Sequence, residues 1–189
     1  MGIKTRVMIS NRHVHLNREA LDILFGKGYE LTVKKELDPP IFAANETVSL
    51  IGDAGRIDGV RILGPLREYN QAEILRADQF VLGTNAEVKI SGSPNKAPLR
   101  ISGPAGEMDF KDVAIIAQRH IHFSPEQAQK FGYRKDQIVR VKVDGDRSLI
   151  FGNVRIVITD GMSEPMMHVD REEGNAACIN NNDWVEILD

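Results

Sequence analysis

The five histidines of this chain fall into two His-x-His pairs, His13 with His15 and His120 with His122, plus His168. Each pair follows an arginine, as Arg12-His13-Val14-His15 and Arg119-His120-Ile121-His122. Residues two apart on an extended strand share a face, so the imidazoles of each pair converge on one point. Imidazole binds zinc and other borderline metals, and a catalytic zinc commonly takes three protein ligands and leaves a fourth position for water or substrate. Two such triads need six ligands, and five histidines fall one short. A carboxylate is the natural sixth. Glu73, in a short strand-like run beyond a Gly64-Pro65 turn, is attractive; on the residues alone Glu19, Glu126 and Glu164 compete with it.

The elements that would carry these pairs resemble one another. Arg6–Ser10 before the first and Asp112–Ala117 before the second are rich in β-branched and small apolar residues and read as strands. After His122, Ser124 is placed as a helix N-cap, Pro125 at the first helical position, Gln127 as capping-box partner and Gly132 as the stop. After His15, Asn17 is the cap, Glu19 the first-turn acid, Leu21, Leu24 and Phe25 the apolar stripe, and Gly26 the stop. The unit of strand, Arg-His-x-His, capped helix and glycine therefore occurs twice, about a hundred residues apart, and suggests an internal duplication. Arg12 and Arg119 point away from the adjacent histidines, which favours salt bridging over anion binding.

Elsewhere short strand patterns alternate with Gly, Pro, Asn and Asp. They are expected at 30–34, 46–51, 56–63, 71–75, 86–91, 98–102, 138–143, 148–151, 154–159 and 183–188. The pattern predicts a mainly β protein, barrel or sandwich, with a few short helices. Gly103-Pro104-Ala105-Gly106 is the best candidate for a domain boundary.

Composition narrows the function. In 189 residues the net charge is −3, with 24 lysines and arginines dispersed along the chain, so no basic field addresses nucleic acid. One cysteine, Cys178, excludes an intramolecular disulfide and a thiolate zinc cluster; it reads as a small packed residue. No apolar run approaches the ~20 residues of a membrane span. The first strand pattern begins within a few residues of Met1, leaving no room for a targeting extension. The expected location is the cytoplasm. One competing motif is that of the cupins, since His13, His15, Glu19 and Gly26 match part of an iron- or manganese-binding barrel motif, which would make a metal-dependent oxygenase or isomerase. The glycine expected six residues before the first histidine is Val7, however, and the second cupin block is absent.

Four separated segments carry a more specific likeness. Ser10–Leu16, Leu63–Arg67 with Gln71–Ile74, Gln118–Pro125, and Met167–Asp170 with Glu173–Ala177 resemble the signatures of the propanediol-utilisation-type phosphotransacylases, from about residue 6 to residue 178. The resemblance implies exchange of a short acyl group, acetyl or propanoyl, between coenzyme A and inorganic phosphate. It also implies a homodimer of two antiparallel β-barrels with short capping helices, one barrel formed by 1–11 and 118–189 and the other by 12–117 with an inserted segment. By position, His13, His15 and Glu73 would hold one zinc, and His120, His122 and His168 a second. Arg67 matches the phosphate-binding arginine, and Arg67 and Glu73 would be the catalytic pair. Ser10, Lys34, Arg61, Leu63, His168 and Asn175 match coenzyme A contacts. Lys89 stands where the family commonly has arginine, and Arg171-Glu172 departs from its usual tail motif. Some members carry a peptide that directs them to a bacterial microcompartment; a chain starting so near its first strand is expected to be a free cytosolic enzyme.

Overall fold

The computed structural model describes residues 2–37, 40–94 and 97–188. It divides into two compact units, residues 1–11 with 118–189 and residues 12–117. The first unit contains β1 (Ile3–Ser10), β10 (His120–Phe123), α3 (Pro125–Phe131), β11 (Ile138–Val143), β12 (Leu149–Ile158), β13 (Met166–Asp170), α4 (Arg171–Ala177) and β14 (Trp184–Ile187). The second contains β2 (His13–His15), α1 (Arg18–Phe25), β3 (Val33–Glu36), β4 (Phe42–Ile51), β5 (Arg56–Gly64), β6 (Gln71–Glu73), α2 (Asp78–Leu82), β7 (Val88–Lys89), β8 (Ala97–Ser102) and β9 (Glu107–Ala117).

In the first unit six strands close a barrel in the order β1-β13-β10-β12-β11-β14. In the second, β9-β6-β2-β5-β4-β8 close through the same sequence of pairings, with β3 added on β4 and β7 on β9. The correspondence extends to strand direction. β1–β13 and β10–β12 are parallel in one barrel, as β9–β6 and β2–β5 are in the other, and the remaining pairs are antiparallel. The barrels are thus mixed rather than wholly antiparallel. Strand and following His-x-His segment part company twice, since β1 joins the first unit while β2 starts the second, and β9 completes the second while β10 returns to the first.

Period-two alternation sets what faces the core. Val14, Leu16, Ile121 and Phe123 are fully buried, each worth about 1.5–3 kcal/mol relative to exposure. Val14 and Leu16 belong to one hydrophobic cluster with Ile62, Ala72 and Ala114, and Ile121 and Phe123 to another with Ile156, Met167 and Val169. With those side chains committed to the cores, the intervening histidines are sent to the opposite face.

The helix signals are realised. Asn17 caps α1 by accepting from the Ala20 amide at 2.8 Å, and Ser124 with Gln127 forms a reciprocal capping box at α3 before Gly132 closes it with φ 77°. The cap of α1 alone is worth about 1 kcal/mol. Differences from the strand pattern have physical causes. The 148–151 and 154–159 runs are one strand, β12, in which Asn153 at φ 51° is absorbed without ending the pairing. The expected 30–34 strand is displaced to Val33–Glu36, where it lies exposed against β4. α2, β13 and α4 are too short for periodicity to announce. Gly103–Gly106 is not a domain boundary; it turns the β8–β9 hairpin inside the second unit, Gly103 donating to the Gly106 carbonyl at 2.9 Å. A side chain at Gly103 would also collide with the Leu24 carbonyl, 2.4 Å from the position of an added Cβ. Cys178 is exposed rather than packed, because it occupies the left-handed C-cap of α4 at φ 55°. No helix among the described residues is long and apolar enough to cross a membrane.

Candidate functional site

Each His-x-His strand runs antiparallel to the strand that carries a third candidate ligand, in the same register: His13 lies opposite Glu73, and His120 opposite His168. Directly opposite residues on one sheet face have Cβ atoms about 4.5–5.5 Å apart, close enough for their side chains to meet at one ion. The structure brings together His13, His15 and Glu73 in the second unit, and His120, His122 and His168 in the first; within each group the ligating atoms lie within 4.8 Å of one another.

The second-unit group is buried. His13 is 7% exposed, His15 3% and Glu73 8%. His13 Nε2 is 3.4 Å from one Glu73 carboxylate oxygen, and His15 Nε2 is 3.9 Å from the other. Tetrahedral zinc with ligands at 2.0–2.2 Å needs ligand atoms about 3.3–3.6 Å apart, so the donor set fits a metal with small adjustment. Burial holds the His15 pKa down to about 3, helped by His13 and by the charge of Arg67, while Glu73 and the Leu63 backbone act the other way. His15 is therefore neutral and able to donate a lone pair throughout the physiological range.

The first-unit group is half-buried. Ring centroids are 4.8 Å apart for His120–His122, 5.0 Å for His120–His168 and 4.8 Å for His122–His168. The outer nitrogens are fixed by hydrogen bonds: His120 Nδ1 lies 2.7 Å from the Gln118 carbonyl and His122 Nδ1 2.8 Å from the Thr159 hydroxyl. This leaves both Nε2 atoms on the inner side, 3.0 Å apart. An imidazole whose far nitrogen donates to a carbonyl is held in the tautomer and orientation a metal ligand needs. Burial and the neighbouring His120 lower the His122 pKa to about 4. Thr159 carries no sequence signal, because it reaches the site only through the pairing of β12 with β10, whereas the Gln118 carbonyl is a local contact two residues before His120.

The competing carboxylates lie elsewhere. Glu19 and Glu126 are first-turn acids of α1 and α3, and Glu164 pairs with Arg6 at 3.1 Å. With Glu19 exposed on a helix, the cupin arrangement has no glutamate ligand on a strand. Arg12 and Arg119 are salt-bridged, to Asp78 at 2.8 Å and Glu173 at 2.5 Å.

Arg67 lies in the second unit, four residues beyond β5's Leu63. Its backbone amide donates to the Leu16 carbonyl at 2.9 Å, and its guanidinium donates to the Tyr69 hydroxyl at 2.5 Å and the Ser91 hydroxyl at 3.2 Å. Ser91 in turn donates to Gln71 Oε1 at 3.1 Å. The residue pattern does not single out Tyr69, Ser91 or Gln71 for this role; Tyr69 is a chain neighbour two residues on, whereas the fold brings Ser91 to Arg67 and Gln71 to Ser91. Arg61 lies in register with His13 and donates to the Ala44 and Asn45 carbonyls at 3.0 and 2.7 Å. Leu63 is half-buried on the same strand, and Lys34 is exposed on β3. In the first unit, Ser10 pairs in register with Asp170, two residues beyond His168, and Asn175 is exposed on α4. Lys89 is engaged by the Pro94 carbonyl at 2.8 Å and by Glu87 at 3.2 Å.

Comparison with known proteins identifies the family of the chain. The family model described as phosphate propanoyltransferase matches residues 6–180. A phosphate propanoyltransferase of Thermotoga maritima is 46% identical over 186 residues, covering 97% of this chain and 88% of its own. Others, from Lachnoclostridium phytofermentans and Salmonella typhimurium, are 43% identical over 189 residues and 40% identical over 176; they cover 99% and 92% of this chain and 88% and 83% of their own length. The chain belongs to the phosphate propanoyltransferase family and is an acyltransferase.

Proposed function

We propose that this acyltransferase is zinc-dependent and moves a short acyl group, acetyl or propanoyl, between coenzyme A and inorganic phosphate. The observation that carries the reading is the pair of three-ligand groups built at the same register in two like barrels. His13, His15 and Glu73 hold one metal ion, and His120, His122 and His168 a second. A divalent metal in such a site supplies Lewis acidity toward a thioester carbonyl and stabilises a thiolate.

The remaining work belongs to the chain's own groups. Arg67 is permanently charged and takes phosphate oxygens through its planar fork, which orients the anion for attack on the thioester carbon. A phosphate oxygen forms the new C–O bond, the C–S bond breaks, and the electron pair leaves with the coenzyme A sulfur. No protein acyl intermediate is required, and Cys178, exposed at a helix end, is not part of the chemistry. The positions that match the family's coenzyme A contacts, Ser10, Lys34, Arg61, Leu63, His168 and Asn175, are the candidates for holding coenzyme A. The enzyme works as a homodimer in the cytosol.

The test is coenzyme A release from acetyl-CoA and propanoyl-CoA, with and without phosphate, by zinc-loaded and chelator-treated protein. Release that needs both phosphate and metal, and is lost in His120→Ala and Arg67→Ala, supports the reading and ranks the two substrates. Metal-replete protein that releases no coenzyme A overturns it.

A further inference from the structure

Each site is flanked by an ion pair that recurs at identical offsets. In the second unit Arg12, the residue before the first histidine, donates through Nε and Nη2 to the two oxygens of Asp78, both at 2.8 Å, and Asp78 lies five residues after Glu73. In the first unit Arg119, again the residue before the first histidine, donates to Glu173 at 2.5 Å, and Glu173 lies five residues after His168. Each acid also accepts the backbone amide two residues beyond the third ligand, Leu75 to Asp78 at 2.9 Å and Asp170 to Glu173 at 3.2 Å. The bridge therefore runs from the side chain next to the first ligand to the backbone next to the third.

The match survives differences everywhere around it. The third ligand is a glutamate in one unit and a histidine in the other, the acid is Asp in one and Glu in the other, and the helices α2 and α4 differ in length. A contact kept while its surroundings change is tied to the position it controls. Both acids are well shielded, with side chains 4% and 21% exposed, so removing the arginine leaves a poorly solvated charge and shifts the backbone it holds. Arg119 is held in turn by the Gly152 carbonyl at 2.7 Å and the face of Phe151.

We propose that Arg12–Asp78 and Arg119–Glu173 are two copies of one clamp, each setting the third ligand against the His-x-His pair of its own site and so setting that site's metal affinity. The proposal rests on the two-metal reading above. These four side chains are positioning residues, acting through ligands they do not touch.

The test uses full-length, metal-stripped protein titrated with zinc against a chromophoric chelator. A His13→Ala/His15→Ala background isolates the first-unit site, and a His120→Ala/His122→Ala background the second. In the first background Arg119→Met or Glu173→Gln weakens zinc binding about 10–100-fold, while Arg12→Met and Asp78→Asn leave it within twofold; in the second the pattern reverses. Combining Arg119→Met with Glu173→Gln costs little more than either alone, because the two act as a unit. The near-isosteric Glu173→Gln and Asp78→Asn keep the test usable if the arginine variants do not fold. Affinity unchanged in the matching background, with only the unfolding temperature of the metal-free protein lowered, would reduce the pairs to struts of the fold and overturn the clamp. Parent proteins that take up no zinc would overturn the metal reading itself, a result distinct from intact binding that ignores the clamp.

Discussion

The two ligand groups share a scaffold and differ in chemistry. The second-unit group is deeply buried and includes a carboxylate, whereas the first-unit group is half-buried and wholly imidazole. Strand register is the same in both, so the backbone decides where a ligand stands and the side chain at that position decides the charge the site carries. A site with Glu73 attracts a cation through a full negative charge in a poorly solvated setting, where charges interact more strongly than in water. A site of three histidines offers imidazole lone pairs and no carboxylate charge. Duplication has supplied two copies of one geometry with unequal electrostatics.

The largest effect expected is from Arg67→Ala, the charged group of the buried half that has no counterpart in the sets above. Loss of a preorganised charge on the reacting anion costs on the order of 10²–10³ in kcat/KM for phosphate. Steady-state kinetics against phosphate concentration check it, and a loss below tenfold would take Arg67 out of phosphate binding. Next, chelator competition should strip the first-unit site before the second. Glu73→Gln should narrow that gap by about tenfold or more in affinity, and equal release of both equivalents by the unaltered protein would dissolve the distinction.

A pH effect on stability follows from burial. His15 and His122 titrate near 6.5 in the unfolded chain and near 3 and 4 in the folded one. Between those values the unfolded state binds more protons, so the stability these groups leave intact above pH 6.5 is lost as the pH falls. The loss accumulates at up to about 1.4 kcal/mol per pH unit for each group, down to about pH 4 for His122 and about pH 3 for His15. Denaturant unfolding of metal-free protein at pH 7 and pH 5 measures it, and His15→Gln and His122→Gln should flatten the dependence by similar amounts, because both folded values lie below pH 5. A profile that His15→Gln leaves unaltered would mean that His15 is not buried as described. The smallest effect is from Tyr69→Phe, which removes one hydrogen bond to Arg67 but keeps the ring beneath the guanidinium. A rise of about three- to tenfold in KM for phosphate, with kcat nearly unchanged, corresponds to a hydrogen bond of roughly 1 kcal/mol.

Local signals explain why much of this was legible. Capping by Asn17 and Ser124, the glycine stops and the His-x-His spacing are decided within a few residues, and they appear in the structure where the sequence puts them. The mainly β class was equally readable from alternation. Missed elements were short ones, α2, β13 and α4, whose stability comes from packing rather than from any periodic stripe. Cys178 was misread because its exposure follows from a helix end that the sequence did not announce.

The sequence by itself determined which residues have the chemistry to bind a metal and that their setting occurs twice, since residue type and a two-residue spacing are local properties. It left four glutamates competing until family resemblance pointed to Glu73. Only the tertiary structure decided that Glu73 and His168 stand opposite the first histidine of each pair, and that Arg12 and Arg119 reach acids five residues beyond them. The residue patterns likewise do not show that β1 and β9 are each built into a barrel other than that of the motif following it, a division that the family resemblance implies. Strand register and partner choice are set by which side chains fill a closed core, a condition met by residues dozens of positions apart and visible only once the barrels close.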